Sequence, residues 1–555
     1  MAMKNTVDPR SGFNSLTKTF QSLRPPMLHL PLEHLPLSAA EYTLTLLRNC
    51  PWNWQDSLAF INSDTGHRLS YAHFTRRVQT LAVNLQTQIG LTKGDTAFVL
   101  SPNSLQVPIL YFALLTLGVV ISPANPVSTE SEIARLFQLS KPGVAFATSA
   151  IAHKLGGLIG TIISMDSPEF DSLVTTGSTR ELNPVGVSQS DVAVIMYSSG
   201  TTGRVKGAML THRNLISLVA SFDAQAWRVG KTAPGVLLKT VPYFHIYGFI
   251  SFIKGVGIGD TEVLMERYEL RKMLKAIEEF KVTTAALVPP IVVALVKGST
   301  QLMAAYNLSS LQTVACGGSS LRKEIIEAFK ARFPNVALAQ GYGLTETAGA
   351  IFRPVNPEES LRWGSSGKIS EEFEAKIVDP KTGDSLPPCK EGELWIKGPS
   401  IMKGYIGDDE ASKAAIVEDE GGERWLKTGD LCYIDHEGFL FVVDRFKELI
   451  KYKGFQVAPA ELEQLLQSHP EIIDAAVIPY PDEEAGEVPM GVVVRKPNSI
   501  LGESEVMNFV AKQVSPYKKI RRVAFVDTIP KNTSGKILRN ELRKIFNPHQ
   551  SFSRL

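Results

Sequence analysis

The feature that most constrains the fold is a series of short apolar runs separated by amphipathic stretches. The runs lie at 96–100, 192–197, 235–241, 261–265, 284–288 and 313–316, and helical periodicity fills several of the gaps, at 74–88, 270–280 and 322–331. Buried strands with helices between them require sheets covered on both faces. After about residue 365 the texture changes to short strands with turns, at 374–379, 392–398 and 438–443, which predicts a small β-rich lobe. A helix at 458–468 and a strand at 472–479 then open a compact α+β tail. The expectation is an α/β chain with a large N-terminal domain of helix-covered sheets over 1–444, its β-rich lobe at about 365–444, and a mobile α+β C-terminal domain over 445–555. Residues 1–36, Pro-rich and irregular, read as a strap over a domain surface.

Composition narrows the function classes. With 44% hydrophobic and 21% charged residues over 555 positions, the chain can bury a large core. Lys plus Arg number 58 against 56 for Asp plus Glu, which argues against a dedicated nucleic-acid binder and leaves a monomer as the default. Residues 511–545 are locally basic, but only Tyr517 and Phe525 interleave there, so a solvated face or a ligand entry rim fits better than a nucleic-acid patch. The four cysteines, Cys50, Cys316, Cys389 and Cys432, are too scattered for a disulfide framework or a zinc site. Within the charge-free stretch 96–129, the apolar centre at 105–121 reads as a buried helix rather than a membrane span. The first thirty residues scatter charges with no apolar core between them, so no secretory signal is expected.

Chemistry concentrates in a few segments. Ser198-Ser199-Gly200-Thr201-Thr202-Gly203-Arg204-Val205-Lys206-Gly207 follows an apolar strand and precedes a helical pattern near 213–219. Its glycines let backbone N–H groups approach an anion, its hydroxyls add donors and Lys206 adds charge, which is phosphate-cradling chemistry. It lacks the Gly-Lys-Ser/Thr ending of the common nucleotide loop. Gln340-Gly341-Tyr342-Gly343-Leu344-Thr345-Glu346 offers a flat ring, a hydroxyl and a carboxylate, though alone it also reads as a turn with a helix cap. Asp430, closing a Lys-Thr-Gly-Asp turn, can accept from two hydroxyls or be an ordinary turn residue. Lys536, after Ser534-Gly535, is by itself a solvated lysine, and His245, among aromatics, a packed one.

Taken in order, these segments, with Asp444-Arg445, Lys451-Tyr452-Lys453-Gly454-Phe455-Gln456-Val457 and Pro530-Lys531, resemble the adenylate-forming superfamily from about residue 60 to 540. That superfamily includes acyl-CoA synthetases, peptide-synthetase adenylation domains and luciferases. The run 446–461 is most similar to plant 4-coumarate–CoA ligases and their ligase-like relatives. The resemblance implies a carboxylate–CoA ligase using ATP, Mg²⁺ and CoA. An acid would attack the α-phosphate to give an acyl-adenylate and pyrophosphate, and the CoA thiol would then displace AMP. By resemblance, Ser198 to Gly203 and Lys206 cradle phosphate. Gly318, Gln340, Gly341, Tyr342 and Gly343 hold the adenylate, and Thr345 meets the α-phosphate. Glu346 helps hold Mg²⁺, and Asp430 with Arg445 holds the ribose.

The resemblance also makes Lys536 the adenylation lysine, bridging two anions as they meet. His245 abuts the reacting carboxylate, with Tyr247 and Ser251 lining the acyl pocket. Lys447 is the hinge, Lys451 and Gln456 serve the thioester step, and Arg267, Lys453 and Gly454 contact CoA. The acid is expected to be a phenylpropanoid such as cinnamate or 4-coumarate. The alternative is a peroxisomal fatty acid or oxylipin precursor of jasmonate, since Ser553-Arg554-Leu555 is a variant of the Ser-Lys-Leu peroxisomal address, read by an import receptor. A cytoplasmic location, a luciferase-like monooxygenase and a non-catalytic nucleotide sensor are the remaining readings.

Overall fold

The structure is a computed structural model that describes residues 6–27, 30–177, 181–199, 205–319, 321, 323–446, 448–452, 455–482, 485–514, 516–532 and 535–546. Two seven-stranded sheets form its body. One runs through Gly404–Tyr405, Val205–Thr211, Val192–Ser199, Val120–Ala124, Thr96–Leu100, Val144–Ala147 and Ile162–Ser164. The other runs through Ala337–Gln340, Thr313–Cys316, Thr284–Leu287, Val236–Lys239, Thr261–Leu264, Leu58–Asn62 and Arg68–Ser70. Neighbours in this second sheet are parallel except for the closing hairpin. Parallel pairing needs crossovers, and helices Leu270–Glu279, Pro289–Lys297 and Lys323–Arg332 supply them. Helices Ala39–Arg48, His212–Arg228 and Ile246–Gly257 pack on one another.

A third, eight-stranded sheet forms the β-rich lobe, with Glu374–Val378, Gly392–Lys397, Arg424–Ile434 and Leu440–Arg445 among its strands. The N-terminal segment is not merely a strap. Phe13–Asn14 and Thr19–Gln21 are strands of this sheet, with Phe20 opposite Ala375 and only 1% exposed. Two- and three-residue strands carry too little alternation to read from sequence, and burial of one Phe anchors them. The stretch expected as one helix over 105–121 divides into helix Gln106–Leu117 and strand Val120–Ala124. Gly118, left-handed at φ 67°, ends the helix there. Among the described residues no helix is long and apolar enough to cross a membrane.

Beyond Arg445 a separate five-stranded sheet begins, built from Phe455–Val457, Ile450–Tyr452, Gly486–Arg495, Ile472–Asp482 and Arg522–Phe525. It has its own apolar core, in which Ile450, Leu462, Leu466, Val477, Val493, Val506 and Val510 are buried. The junction is tied by polar groups: Asp444 Oδ2 accepts from Ala460 N at 2.9 Å, and Arg539 bonds both Glu448 and Glu463.

Candidate active site

A cavity of about 1610 Å³ is lined by residues of both large sheets and the β-rich lobe, and by Asn532 and Lys536. One end is built on a hairpin, because Val205–Thr211 pairs antiparallel with Val192–Ser199 and sets Lys206 opposite Ser198. The strand after the glycine-rich loop was not legible as one. The hairpin tip, with Gly200, Thr201, Thr202 and Gly203, and the Ser199 side chain lie outside the described residues. Ser198 Oγ donates to Glu346 Oε1 at 3.1 Å, and Tyr405 OH donates to the same oxygen at 2.8 Å. The Lys206 ammonium lies 4.7 Å over the Tyr405 ring. Glu346 Oε2 accepts no hydrogen bond among the described residues, and Glu346 and Thr345 both line the cavity. One carboxylate oriented by Ser198 and Tyr405 suits Mg²⁺, which is held by one or two carboxylates together with substrate phosphates. Tyr405 was missed by sequence reasoning, since a lone Gly-Tyr in a two-residue strand carries no signal of its own.

Next to it, Gly317, Gly318, Gln340, Gly341 and Gly343 line the wall, with Gly318 left-handed at φ 98°. Tyr342 and Asp430 stand behind this wall rather than in it: the Tyr342 hydroxyl donates to Asp430 Oδ2 at 2.6 Å. Arg445, which does line the cavity, places Nε 3.0 Å from Asp430 Oδ1 but without hydrogen-bond alignment. Among the described residues this buried oxygen has no hydrogen-bond donor, so it keeps the capacity to accept from a hydroxyl. Burial pushes the Asp430 carboxyl up from its ordinary value, against the pull of Arg445. Gly343 has a structural reason, for a Cβ there would lie 1.9 Å from the Gly349 carbonyl oxygen. Gln340 uses its Oε1 to accept from Leu321 N at 3.0 Å.

The other end follows helix Ile246–Gly257. His245 caps it, its Nδ1 accepting from Tyr247 N at 3.3 Å, which assigns the proton of the neutral ring to Nε2. Burial lowers the His245 pKa, so the ring stays neutral beside the cavity. One helix face is core, with Phe249, Phe252, Ile253 and Val256 fully buried. The opposite face, Tyr247, Ile250, Ser251, Lys254 and then Ile258, lines the cavity. Tyr247 OH donates to the Ala315 carbonyl at 3.0 Å, and the Ser251 hydroxyl accepts from Lys239 Nζ. Lys239 pairs with Glu262, whose carboxyl burial pushes up to about 7. Neither this buried pair nor Lys254 was singled out from sequence; a lysine one helical turn beyond Ser251 was the available signal.

The C-terminal domain contributes Asn532 and Lys536 to the cavity wall. Burial, then the neighbouring Arg445, lowers the Lys536 pKa. Gly535, at φ 80°, sits so close to Pro290 that a Cβ would lie 2.5 Å from its Cγ. Lys451 is not brought to the cavity: it is exposed, its backbone N–H donating to Glu487 Oε2 at 2.9 Å. Gln456 lies in strand Phe455–Val457 and its side chain is outside the described residues, as are Lys447, Lys453 and Gly454. Arg267 is exposed beyond strand Thr261–Leu264, away from the cavity.

Lys206, the carboxylate of Glu346, Arg445 and Lys536 thus share one cavity, a set of groups suited to binding a nucleotide. The model of the AMP-binding enzyme family matches residues 49–406, and that of the AMP-binding enzyme C-terminal domain matches 461–536. The chain belongs to the AMP-binding enzyme family, with the adenylate-forming fold, and is an ATP-dependent acyl-CoA ligase. It is similar to 4-coumarate–CoA ligase-like 9 of Arabidopsis thaliana, at 51% identity over 97% of each chain. It is also similar to peroxisomal OPC-8:0-CoA ligase 1 of Arabidopsis thaliana, at 46% identity over 97% of this chain and 98% of the relative. Among solved structures, o-succinylbenzoate coenzyme A synthetase of Bacillus subtilis in complex with ATP and magnesium ion matches with a TM-score of 0.78. That match has 28% identity and covers 90% of this chain and 99% of that one.

Proposed function

We propose that the ligase acts on an elongated, flexible carboxylic acid of the fatty-acid or oxylipin class. One observation carries this reading: the cavity follows a single face of helix Ile246–Gly257 from its capping His245 past its end to Ile258. Apolar Phe222, Ala226, Val229, Leu237 and Phe244 also line it. The similarity to a relative named for OPC-8:0 supports the reading, and the names of the 4-coumarate–CoA ligase-like relatives favour a phenylpropanoid acid as the second one.

In the proposed cycle, Lys206 and the hairpin bind the phosphates of ATP, and Glu346 would hold Mg²⁺, which would supply positive charge to them. Neutral His245 sits beside the carboxylate, and Lys536 bridges carboxylate and α-phosphate as their charges converge. The C-terminal domain, about 445–555, then turns near Lys447. Lys536 leaves, and Lys451 and Gln456 enter for attack by CoA, whose contacts are Arg267, Lys453 and Gly454. Lys536 in the cavity wall, with Lys451 outside it, supports reading this arrangement as the one for adenylation. Import into peroxisomes through Ser553-Arg554-Leu555 and a monomeric state complete the proposal; those three residues lie outside the described ones.

The test is pyrophosphate release and CoA-thioester formation over a panel of medium-chain, oxylipin-type and phenylpropanoid acids. Preference for the elongated acids supports the reading, and turnover of cinnamate or 4-coumarate alone overturns it.

A further inference from the structure

The cavity wall along helix Ile246–Gly257 ends in charge. Lys254 lines it, and its ammonium lies 4.0 Å over the Phe222 ring. Among the described residues it makes no hydrogen bond and no ion pair. Three other cations of this region each have a carboxylate partner. Lys239 pairs with Glu262, Lys231 with Asp260, and Arg353 with Glu371. Lys254 is therefore the surplus charge of this cluster. Burial, followed by the repulsion of Lys239 and Arg353, drives its pKa down to about 7. A cation held in such a place without a partner is poorly solvated and gains from any acceptor delivered to it.

The distance to the reacting centre follows from the helix. Lys254 is nine residues beyond His245, about 13 Å at 1.5 Å per residue, which an extended acid of roughly eight to ten carbons spans once side chains lean back toward the helix N-terminus. Apart from Ser251, whose hydroxyl is engaged by Lys239, the wall residues Ile250, Leu237 and Phe222 are apolar. A plain alkyl chain would fill them and leave the ammonium still unpartnered.

The geometry points to Lys254 as a specificity determinant that binds an oxygen acceptor at the far end of the acyl chain. The substrate class is then a medium-chain acid carrying a distal carboxylate, hydroxyl or ketone. This inference rests on the elongated-acid reading and sharpens it. Phe222 backs the ammonium by cation–π attraction without competing for its donors, and the paired Lys231 and Asp260, also in the wall, have no donor or acceptor surplus of comparable strength.

The experiment compares decanoic acid, 10-hydroxydecanoic acid and decanedioic acid with the full-length protein, Lys254→Met and Lys254→Gln. The unmodified enzyme should favour the two oxygenated acids over decanoic acid by at least about tenfold in kcat/KM, in KM rather than kcat. Lys254→Met should bring both ratios near one. Lys254→Gln should keep the preference for the hydroxy acid and lose that for the diacid if both sources of oxygen are read, and the diacid arm alone changes if only an anion is. Ratios that do not move between the three proteins overturn the proposal. Thermal stabilisation by each acid alone is read in parallel. If no protein makes any thioester, the ligase reading fails, while loss of acid-induced stabilisation in Lys254→Met still upholds the Lys254 site and its persistence overturns it.

Discussion

The Tyr342 hydroxyl donates to Asp430 Oδ2 at 2.6 Å, and Arg445 lies 3.0 Å from the other oxygen of the same carboxylate. Tyr342 and Asp430 thus form a buried pair behind the cavity wall, tied to Arg445 within it. Tyr342→Phe removes a hydrogen bond to a buried carboxylate and should cost about 1–3 kcal/mol of stability, with a few-fold rise in the KM for ATP. Asp430→Asn also strips Arg445 of its partner, so its effect on ATP should exceed tenfold. Thermal unfolding and ATP-dependent pyrophosphate exchange measure the two, and an unchanged ATP KM in Asp430→Asn would remove this unit from the nucleotide site.

Lys536→Ala should lower acyl-adenylate formation by about a hundredfold or more, as expected for loss of a preorganised positive charge at converging anions. Thioester formation from a supplied acyl-adenylate should be largely preserved. Half-reaction kinetics separate the two, and equal loss in both would contradict the exchange of Lys536 for Lys451.

Much of this arrangement is legible in the chain itself. The parallel strands 284–287 and 313–316 and the helix 270–279 stand within a residue or so of the expected bounds, because long apolar periodicity dictates them. Of the segments 198–207 and 340–346, Ser198, Lys206, Gln340, Gly341, Gly343, Thr345 and Glu346 line the cavity, whereas Tyr342 does not. What stayed hidden depends on contacts between distant elements. Phe20 becomes a strand residue only because Ala375 is beside it, and Tyr405 matters only because a register with Ala208 carries it to Lys206 and Glu346. Tyr342 lies behind the wall because its hydroxyl reaches Asp430, a pairing that no local pattern encodes.

Gly535 offers a test of the domain arrangement that leaves every polar group in place. Its φ of 80° disfavours any side chain, and a Cβ would meet Pro290 Cγ at 2.5 Å and Cδ at 2.7 Å. Gly535→Ala should therefore push residue 535 off the Pro290 helix and withdraw Lys536. Adenylation should fall at least about tenfold, since displacements near 1 Å already cost that much and more. Pro290→Ala in the same background should restore part of the loss by clearing the space. A Gly535→Ala enzyme with unaltered adenylation would mean that this contact does not seat the lysine.

The buried charges of the acid pocket should also shape stability against pH. Burial raises the Glu262 carboxyl from 4.5 to about 7, against the attraction of Lys239, with Tyr243, Asp260 and Lys254 as its other titratable neighbours. Between those values the folded protein holds a proton that the unfolded chain has released. Stability therefore falls as pH rises through this window, by up to about 1.4 kcal/mol per pH unit. Lys254 acts in the opposite direction, because its pKa drops from 10.5 to about 7. From pH 7 upward the unfolded chain holds the extra proton and stability rises with pH. The two together set a minimum near neutrality. Glu262→Gln should flatten the acid limb, and Lys254→Met the alkaline one, in denaturant unfolding at pH 5.5, 7 and 9. Identical curves for all three proteins would show that neither group changes its protonation on folding.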